Sequence, residues 1–323
     1  MAVQIRKILF IDAAHPILQQ ELEKQGFICD YFPTHARKDF ESIIPQYTGI
    51  IIRSKIKLDA EILERAANLL FIGRIGAGME NIDAIYADSH GIVCLNAPEG
   101  NRDAVGEHTL GMLLMLLNHL RRADMQVRQG IWLRAENRGI EIMGKTIGII
   151  GYGNMGCAFA KRLSGFGATV LAYDKYKTNY SDQFVTESSL EELFAETDIL
   201  SLHVPLTQET HHMVNQAFIK KFKKSFYLIN TARGQVVHTS KLIKALKCGQ
   251  IRGAALDVLE CENFSFVNLN KNNLLADFQY LKEMDNVVLS PHIAGWTYES
   301  EEKMAWILAE KIKMLVYSKP LED

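Results

Sequence analysis

The chain has 323 residues with 36 basic and 38 acidic side chains, a formal net charge of −2. Near-cancelled charge leaves no strong field to draw nucleic acid or an anionic membrane surface, and no apolar run reaches the length of a membrane span. So long a chain predicts two domains, and five scattered cysteines (Cys29, Cys94, Cys157, Cys248, Cys261) without metal-ligand spacing predict free thiols in a reducing cytoplasm and no metal site.

Arg6 and Lys7 precede an apolar run at 8–11 that breaks at Asp12. It is too short for a signal segment and reads as a first strand. Further strands are predicted at 27–31, 49–52, 71–74 and 92–95, with helices at 16–25 and 59–67. This rhythm predicts a small doubly wound parallel sheet. Asn96-Ala-Pro-Glu-Gly-Asn101 is rich in breakers and suits a domain crossing. One long helix is then predicted over 104–129, with Leu110, Leu113, Leu114, Leu117 and Leu120 at helical spacing. Such an apolar helix calls for burial against the body or a second subunit.

From Lys145 a second series begins, with strands at 147–150, 169–173, 199–203, 226–230, 253–257 and 287–289 and a tail helix at 299–316. The first of these strands runs into Gly151-Tyr-Gly153-Asn154-Met155-Gly156, which opens a helix. The second ends on Asp174, 18 positions after the third glycine. Strand, glycine turn, helix, strand and acid in this order form a dinucleotide fingerprint. Gly151 suits the tight turn, Gly153 lets a pyrophosphate approach, and Gly156 lets helix and strand pack closely. The helix N-terminus then offers N–H groups to the phosphates. A carboxylate at Asp174 accepts from ribose hydroxyls and repels a 2′-phosphate, which favours NAD over NADP, although Lys175 and Lys177 soften that repulsion.

Three downstream segments sit where strand ends approach a nicotinamide. Thr231-Ala232-Arg233-Gly234 places an Arg suited to a bidentate clamp on a carboxylate. Asp257, at a strand end, is placed to accept from the nicotinamide amide, with Glu260 and Glu262 beyond it. Ser290-Pro291-His292 through Gly295 places a His whose ordinary pKa, about 6.5, suits proton transfer. His203 and Pro205, after another strand, are expected to line the cofactor groove, and His211-His212 reads as a loop pair rather than a metal site.

These segments, with Arg53-Ser54, Gly73 to Asp83, Asn96 to His108 and Leu202 to Thr207, occur in one order, in which the chain resembles the D-isomer-specific 2-hydroxyacid dehydrogenase family almost end to end. The resemblance implies an α/β fold of two doubly wound parallel-sheet domains. A Rossmann NAD-binding domain at 100–295 would be inserted in a smaller flavodoxin-like catalytic domain at 1–99 and 296–323. It implies NAD as cofactor, contacted by Gly151, Gly153, Asn154, Met155, Gly156, Asp174, His203, Pro205, Thr231, Ala232, Asp257 and Gly295. It implies Arg233 as substrate clamp, His292 as acid/base and Glu262 as its partner. Substrate would be anchored by Gly76, Ala77 and Gly78, and a homodimer built through the 104–129 region. One departure stands out: the family usually follows the catalytic Glu with Pro, whereas Asn263 follows Glu262 here, and the segment 264–284 is longer than usual. Glu260 is therefore a rival for the partner role.

Within the family, the likeness is nearest to phosphoglycerate dehydrogenases of the short form without a C-terminal regulatory domain, since few residues follow His292. The implied reaction is NAD-linked oxidation of 3-phospho-D-glycerate to 3-phosphohydroxypyruvate in serine synthesis. Arg53, Ser54, Lys55, Arg74, Asn101 and Arg134 are candidates to receive the phosphorylated acid. The alternative is reduction of glyoxylate, hydroxypyruvate or another 2-keto acid, which uses the same machinery. A non-catalytic, NADH-sensing corepressor is a third reading, against which the set Arg233, Glu262 and His292 argues.

Overall fold

Runs of isoleucine and leucine become sheet centres in two separate units of the computed structural model, which describes residues 6–262 and 275–318. The units are Met1–Asn101 with Trp296–Asp323, and Arg102–Gly295.

The first unit carries five parallel strands, β1 (Lys7–Phe10), β2 (Ile28–Tyr31), β3 (Gly49–Ile52), β4 (Phe71–Arg74) and β5 (Val93–Asn96), in the order β2-β1-β3-β4-β5. That is the flavodoxin-like order. Every residue of β3 and β4 is buried, as a parallel sheet covered on both faces requires. Strand alternation then divides the side chains. Leu9, Ile50 and Ile52 meet Phe40 and Ile62 on one face, while Ile8, Phe10, Ile51 and Phe71 meet Leu18, Leu22, Leu308 and Ile312 on the other.

Helices α1 (Pro16–Lys24), α2 (Arg37–Ile43), α3 (Ala60–Glu64) and α4 (Ala84–Ser89) make the crossovers. Sequence periodicity missed α2 and α4 because each buries one side chain, Phe40 and Ala87. The last helix, Tyr298–Ser318, returns to this unit and shares a face with α1 through Leu308 and Ile312.

The segment 96–101 carries the chain to the end of the first unit at Asn101, but it is already helical there. Pro98 starts α5 (Pro98–Leu117), in keeping with the preference of proline for a first helical turn. The predicted single helix over 104–129 is also divided, because His119 adopts a left-handed conformation (φ 53°) that ends α5 before α6 (Leu120–Arg128). Met112, Leu113, Leu116 and Leu117 are buried, but α6 buries none of its side chains.

The second unit is a seven-stranded parallel sheet: β6 (Thr146–Ile150), β7 (Thr169–Tyr173), β8 (Thr186–Glu187), β9 (Ile199–Leu202), β10 (Phe226–Asn230), β11 (Ile251–Leu256) and β12 (Val287–Leu289). Their order is β12-β11-β10-β9-β6-β7-β8. Six strands were expected; β8, two residues long, carries too little pattern to read. Between them run α7 (Asn154–Arg162), α8 (Leu190–Glu196), α9 (Gln216–Ile219), α10 (Thr239–Lys247) and α11 (Leu275–Glu283), so the tail helix is α12. The strand order reverses at β6, which places a ligand crevice at its carboxyl end. Of the long segment 264–284, residues 264–274 lie outside the described residues, and α11 fills most of the remainder.

Leu308 is wholly buried in the first unit. Leu308→Ala is expected to cost about 2–5 kcal/mol in urea unfolding. A loss under about 1 kcal/mol would show that α12 does not pack there as described.

Candidate active site

The glycine turn after β6 is shaped by backbone proximity. Gly151 has φ 94°, and an added Cβ would lie 2.6 Å from the His203 carbonyl oxygen; one on Gly156 would lie 2.1 Å from the Gly151 oxygen. Gly153 differs, because a Cβ there would meet nothing of the protein within 4 Å. Its small size is thus not required by internal packing and leaves room for a group approaching the first turn of α7, where Asn154 and Met155 lie and N–H groups lack intrahelical acceptors. The cradle fits a dinucleotide phosphate on its own geometry.

Asp174 closes this turn. Its carboxylate accepts from the Tyr152 N–H at 2.8 Å and the Tyr176 N–H at 2.9 Å. The two lysines beside it are committed elsewhere: Lys175 pairs with Glu209, and Lys177 donates to the Tyr152 carbonyl at 2.7 Å. Pro205 is exposed. The His203 ring, by contrast, turns inward to bond Ser201 Oγ at 2.8 Å beside Phe159. Burial pushes its pKa down to about 3. It therefore stays neutral, and its backbone carbonyl, not its ring, shapes the groove at Gly151.

Three neighbouring strands, β10, β11 and β12, deliver the remaining groups. Asn230, Leu256 and Leu289 stand in register across them, so the loops that follow emerge side by side. In the first loop the side chain of Asn230 binds the Ala232 N–H at 3.1 Å and the Arg233 carbonyl at 3.0 Å. Thr231 and Ala232 are buried, and half-buried Arg233 leaves the loop extended, with Nη1 on the Ala232 carbonyl at 2.7 Å.

In the third loop, His292 Nδ1 lies 2.6 Å from Glu262 Oε2. The other oxygen of Glu262 accepts from the Leu259 N–H. Glu260 faces away from His292, with one oxygen on His212 Nε2 at 2.6 Å and the other on the Thr239 N–H at 2.9 Å. His292 sits at φ 55°, a conformation uncommon outside glycine that marks many functional sites.

Asp257 explains how that conformation is held. It was expected to reach the nicotinamide amide, but its side chain is only 1% exposed and turned inward. Its carboxylate accepts from the N–H groups of Ile293 (2.9 Å) and Ala294 (2.8 Å) and from Ser290 Oγ (2.6 Å), while its carbonyl accepts from the His292 N–H at 2.8 Å. His108 Nε2 stands 3.0 Å from Ser290 Oγ and 3.5 Å from the Asp257 carboxylate. Burial alone would raise the Asp257 pKa, but the bonds from His108, Ser290, Ile293 and Ala294 prevail and hold it low. Gly295 is half-buried at the end of this turn.

In the first unit, Asp12 was missed by the sequence reading. One of its carboxylate oxygens accepts from the N–H groups of Arg53, Ser54 and Lys55, at 2.6, 3.0 and 3.2 Å, and fixes the loop after β3. Arg53 is not an open phosphate cation. It pairs with Glu301 at 3.0 Å beside the Trp296 ring, and Lys55 donates to the Pro33 carbonyl at 2.8 Å. Arg74 is buried, with Nη1 on the Ile75 carbonyl.

The loop Gly76-Ala77-Gly78 after β4 is tied back by the Ala97 N–H to the Gly76 carbonyl and by Asn96 Nδ2 to the Ala77 carbonyl at 2.7 Å. Asn101, in the first turns of α5, has a buried Oδ1 with no hydrogen-bond partner among the described residues. Arg134, in the second unit, is exposed in the turn after α6. Among the described residues, no cluster of His, Cys, Asp or Glu has the makings of a metal site, and no helix is long and apolar enough to cross a membrane.

A fingerprint-bearing Rossmann sheet in one unit and a flavodoxin-like sheet in the other define a two-unit nucleotide-binding α/β protein. The family model described as D-isomer specific 2-hydroxyacid dehydrogenase, NAD binding domain, matches residues 110–294, and the chain belongs to that family. It is 35% identical over 315 residues to D-3-phosphoglycerate dehydrogenase of Archaeoglobus fulgidus, covering 96% of this chain and 58% of that protein. It thus spans less than two thirds of that relative. Hydroxypyruvate reductase of Thermotoga maritima is 37% identical over 279 residues, covering 86% of this chain and 88% of the relative. Among solved structures, D-lactate dehydrogenase of Aquifex aeolicus complexed with NAD and lactic acid is similar with a TM-score of 0.83 and 31% identity, covering 96% of each chain.

The low folded-state pKa of Asp257 has a defined sign in stability. The stabilisation is present at neutral pH, above the unfolded value of about 4, and is lost as pH falls through the folded value below it. Asp257→Asn is therefore expected to be less stable than wild type in urea at about pH 7, with the gap narrowing below about pH 4. A gap that does not change with pH would show that the charge of Asp257 is not what stabilises the turn.

Proposed function

We propose that the chain catalyses NAD-linked interconversion of a D-2-hydroxy acid and its 2-keto acid. The observation that carries this reading is the 2.6 Å contact between His292 Nδ1 and Glu262 Oε2 at the mouth of three adjacent strands. With Nδ1–H held by a carboxylate, Nε2 is the nitrogen that exchanges a proton with the substrate oxygen. Glu262 also stabilises the imidazolium that receives a proton in the oxidation direction. Arg233 clamps the substrate carboxylate in a bidentate fork and balances charge at the neighbouring oxygen.

The cofactor is held by Gly151, Gly153, Asn154, Met155 and Gly156 at the phosphates, by Asp174 at the ribose, and by Pro205, Thr231, Ala232 and Gly295 towards the nicotinamide. Bound NAD(H) supplies or accepts the hydride. On the substrate side, N–H groups of Gly76, Ala77 and Gly78 receive the acid, and Ser54 lies on the loop fixed by Asp12. The orphaned Asn101 Oδ1 accepts from a substrate hydroxyl.

For the substrate we propose 3-phospho-D-glycerate, oxidised to 3-phosphohydroxypyruvate; the likeness to a phosphoglycerate dehydrogenase over 96% of this chain supports it. Arg53 would then exchange its partly exposed partner Glu301 for the phosphate, a change of small cost because such pairs contribute at most about 1 kcal/mol. A second reading, reduction of hydroxypyruvate or glyoxylate, is favoured by the present engagement of both Arg53 and Lys55. NADH oxidation with 3-phosphohydroxypyruvate, hydroxypyruvate, glyoxylate and pyruvate separates them. Preference for the phosphorylated acid, lost selectively in Arg53→Ala, supports the first; preference for an unphosphorylated acid overturns it.

We further propose a cytoplasmic homodimer. All five cysteines are free thiols. Leu120 and Val127 share one face of α6 and are exposed, as is Trp132 (75% exposed) just beyond, and a second copy would cover these apolar side chains. Val127→Asp with Trp132→Asp is expected to give monomers in sedimentation; an unchanged mass would remove this surface from the interface.

His292→Gln is expected to lower turnover by at least about a thousandfold, with the dissociation constant of NADH nearly unchanged. Near-normal turnover would remove His292 from the reaction. Asp174→Ala is expected to weaken NADH and to raise relative use of NADPH. An unchanged cofactor preference would contradict the role given to Asp174.

A further inference from the structure

We infer that Glu260 is a positioning residue: with His212 it sets the turn that carries Glu262 and locks it to the segment that carries Arg233. The inference deepens the proposed function and rests on it for the roles of Glu262, Arg233 and His292.

The turn 258–262 buries Val258 and Cys261 and closes on itself through the Glu262 N–H to the Leu259 carbonyl at 3.1 Å. Its backbone lies so close to Gly234 that an added Cβ would sit 2.0 Å from the Leu259 carbonyl carbon and 2.5 Å from the Glu260 nitrogen. The residue after Arg233 therefore packs directly on the residues that lead to Glu262. Backbone contact and buried apolar side chains are non-directional, so bonds reaching across the contact add the directional part of its register.

Glu260 makes those bonds. One oxygen takes His212 Nε2 at 2.6 Å and the other takes the Thr239 N–H, at the start of α10, at 2.9 Å. Burial would raise its pKa, but the hydroxyl and N–H of Thr239 and the His212 ring outweigh burial and hold it low. His212 is itself fixed. Its N–H donates to the Gln235 carbonyl at 2.8 Å, and its ring lies between those of His211 and His238, at centroid distances of 4.0 and 4.5 Å. Its left-handed backbone, φ 53°, aims the ring at Glu260. The pair thus ties the segments 211–214, 233–239 and 259–262 into one unit. Two residues beyond Glu260, Glu262 meets His292. A shift of the turn would move Glu262 relative to both His292 and Arg233, and misplacement by about 1 Å is enough to cost about a hundredfold in rate.

The test uses the full chain with Glu260→Ala, Glu260→Gln and His212→Asn, the last chosen because Asn tolerates the left-handed backbone. Two readouts are taken. The first is the downfield proton resonance of His292 Nδ1–H, assigned by its loss in His292→Gln. The second is kcat and KM for the best 2-keto acid, with NADH affinity measured separately. In Glu260→Ala the resonance is expected to broaden or vanish and kcat to fall at least about tenfold, with NADH affinity within about twofold. Glu260→Gln, whose amide oxygen still accepts from Thr239, is expected to keep the resonance and most of the turnover.

A folded Glu260→Ala with resonance and kcat unchanged overturns the proposal. If that variant does not fold, His212→Asn decides: an intact resonance overturns the proposal and a lost one supports it. Should wild type reduce none of the keto acids, the proposed function fails, while the resonance still decides the role of Glu260.

Discussion

The bond set around Asp257 is the constraint on which the site rests. A histidine at φ 55° is an unfavourable backbone state, costing on the order of 1–2 kcal/mol. The turn keeps it because a buried carboxylate and the carbonyl of the same residue hold the N–H groups of His292, Ile293 and Ala294. Hydrogen bonds to a charged acceptor contribute about 1.5–3 kcal/mol each, enough to offset that strain. The strain in turn aims the imidazole at Glu262. A conformation that would otherwise be a defect becomes the means of presenting the imidazole proposed to transfer the proton.

Parallel topology converts this local device into a site. Because β10, β11 and β12 are adjacent and in register, loops far apart in sequence emerge together, bringing Arg233, Glu262 and His292 from three strands. The same sheet reverses order at β6 and opens its glycine cradle there. Each loop is set by an Asx or Glx side chain at or just after a strand end: Asn230, Asp257 and Glu260 in this unit, Asp12 and Asn96 in the other. The groups assigned to chemistry stand on a layer of carboxylates and amides that bind only backbone and neighbouring side chains.

What could be read in the sequence follows the physics of repetition. Strands at Gly49–Ile52, Phe71–Arg74, Thr169–Tyr173 and Phe226–Asn230 were read to the residue, since a strand buried on both faces is a continuous apolar run bounded by breakers. Short elements with one buried side chain, such as α2, carry no period and were missed. The division of the long helix at His119 was also hidden, because Leu117 and Leu120 keep helical spacing across Asn118-His119, residues that occur inside helices as well. For the site, residue types and order pointed to His292, Glu262 and Arg233. They did not reveal that Asp257 and the His203 ring turn inward, or that Glu301 engages Arg53. Direction within a strand-end loop depends on contacts between distant segments, and no local pattern encodes it.

The most direct test of this account is the single-turnover rate of keto-acid reduction by NADH in Asp257→Asn, compared with wild type and paired with the dissociation constant of NADH. If Asp257 acts by holding the His292 turn, the rate should fall by about a hundredfold while NADH binds nearly as before. An unchanged rate with markedly weaker NADH binding would contradict the account and place Asp257 on the cofactor instead.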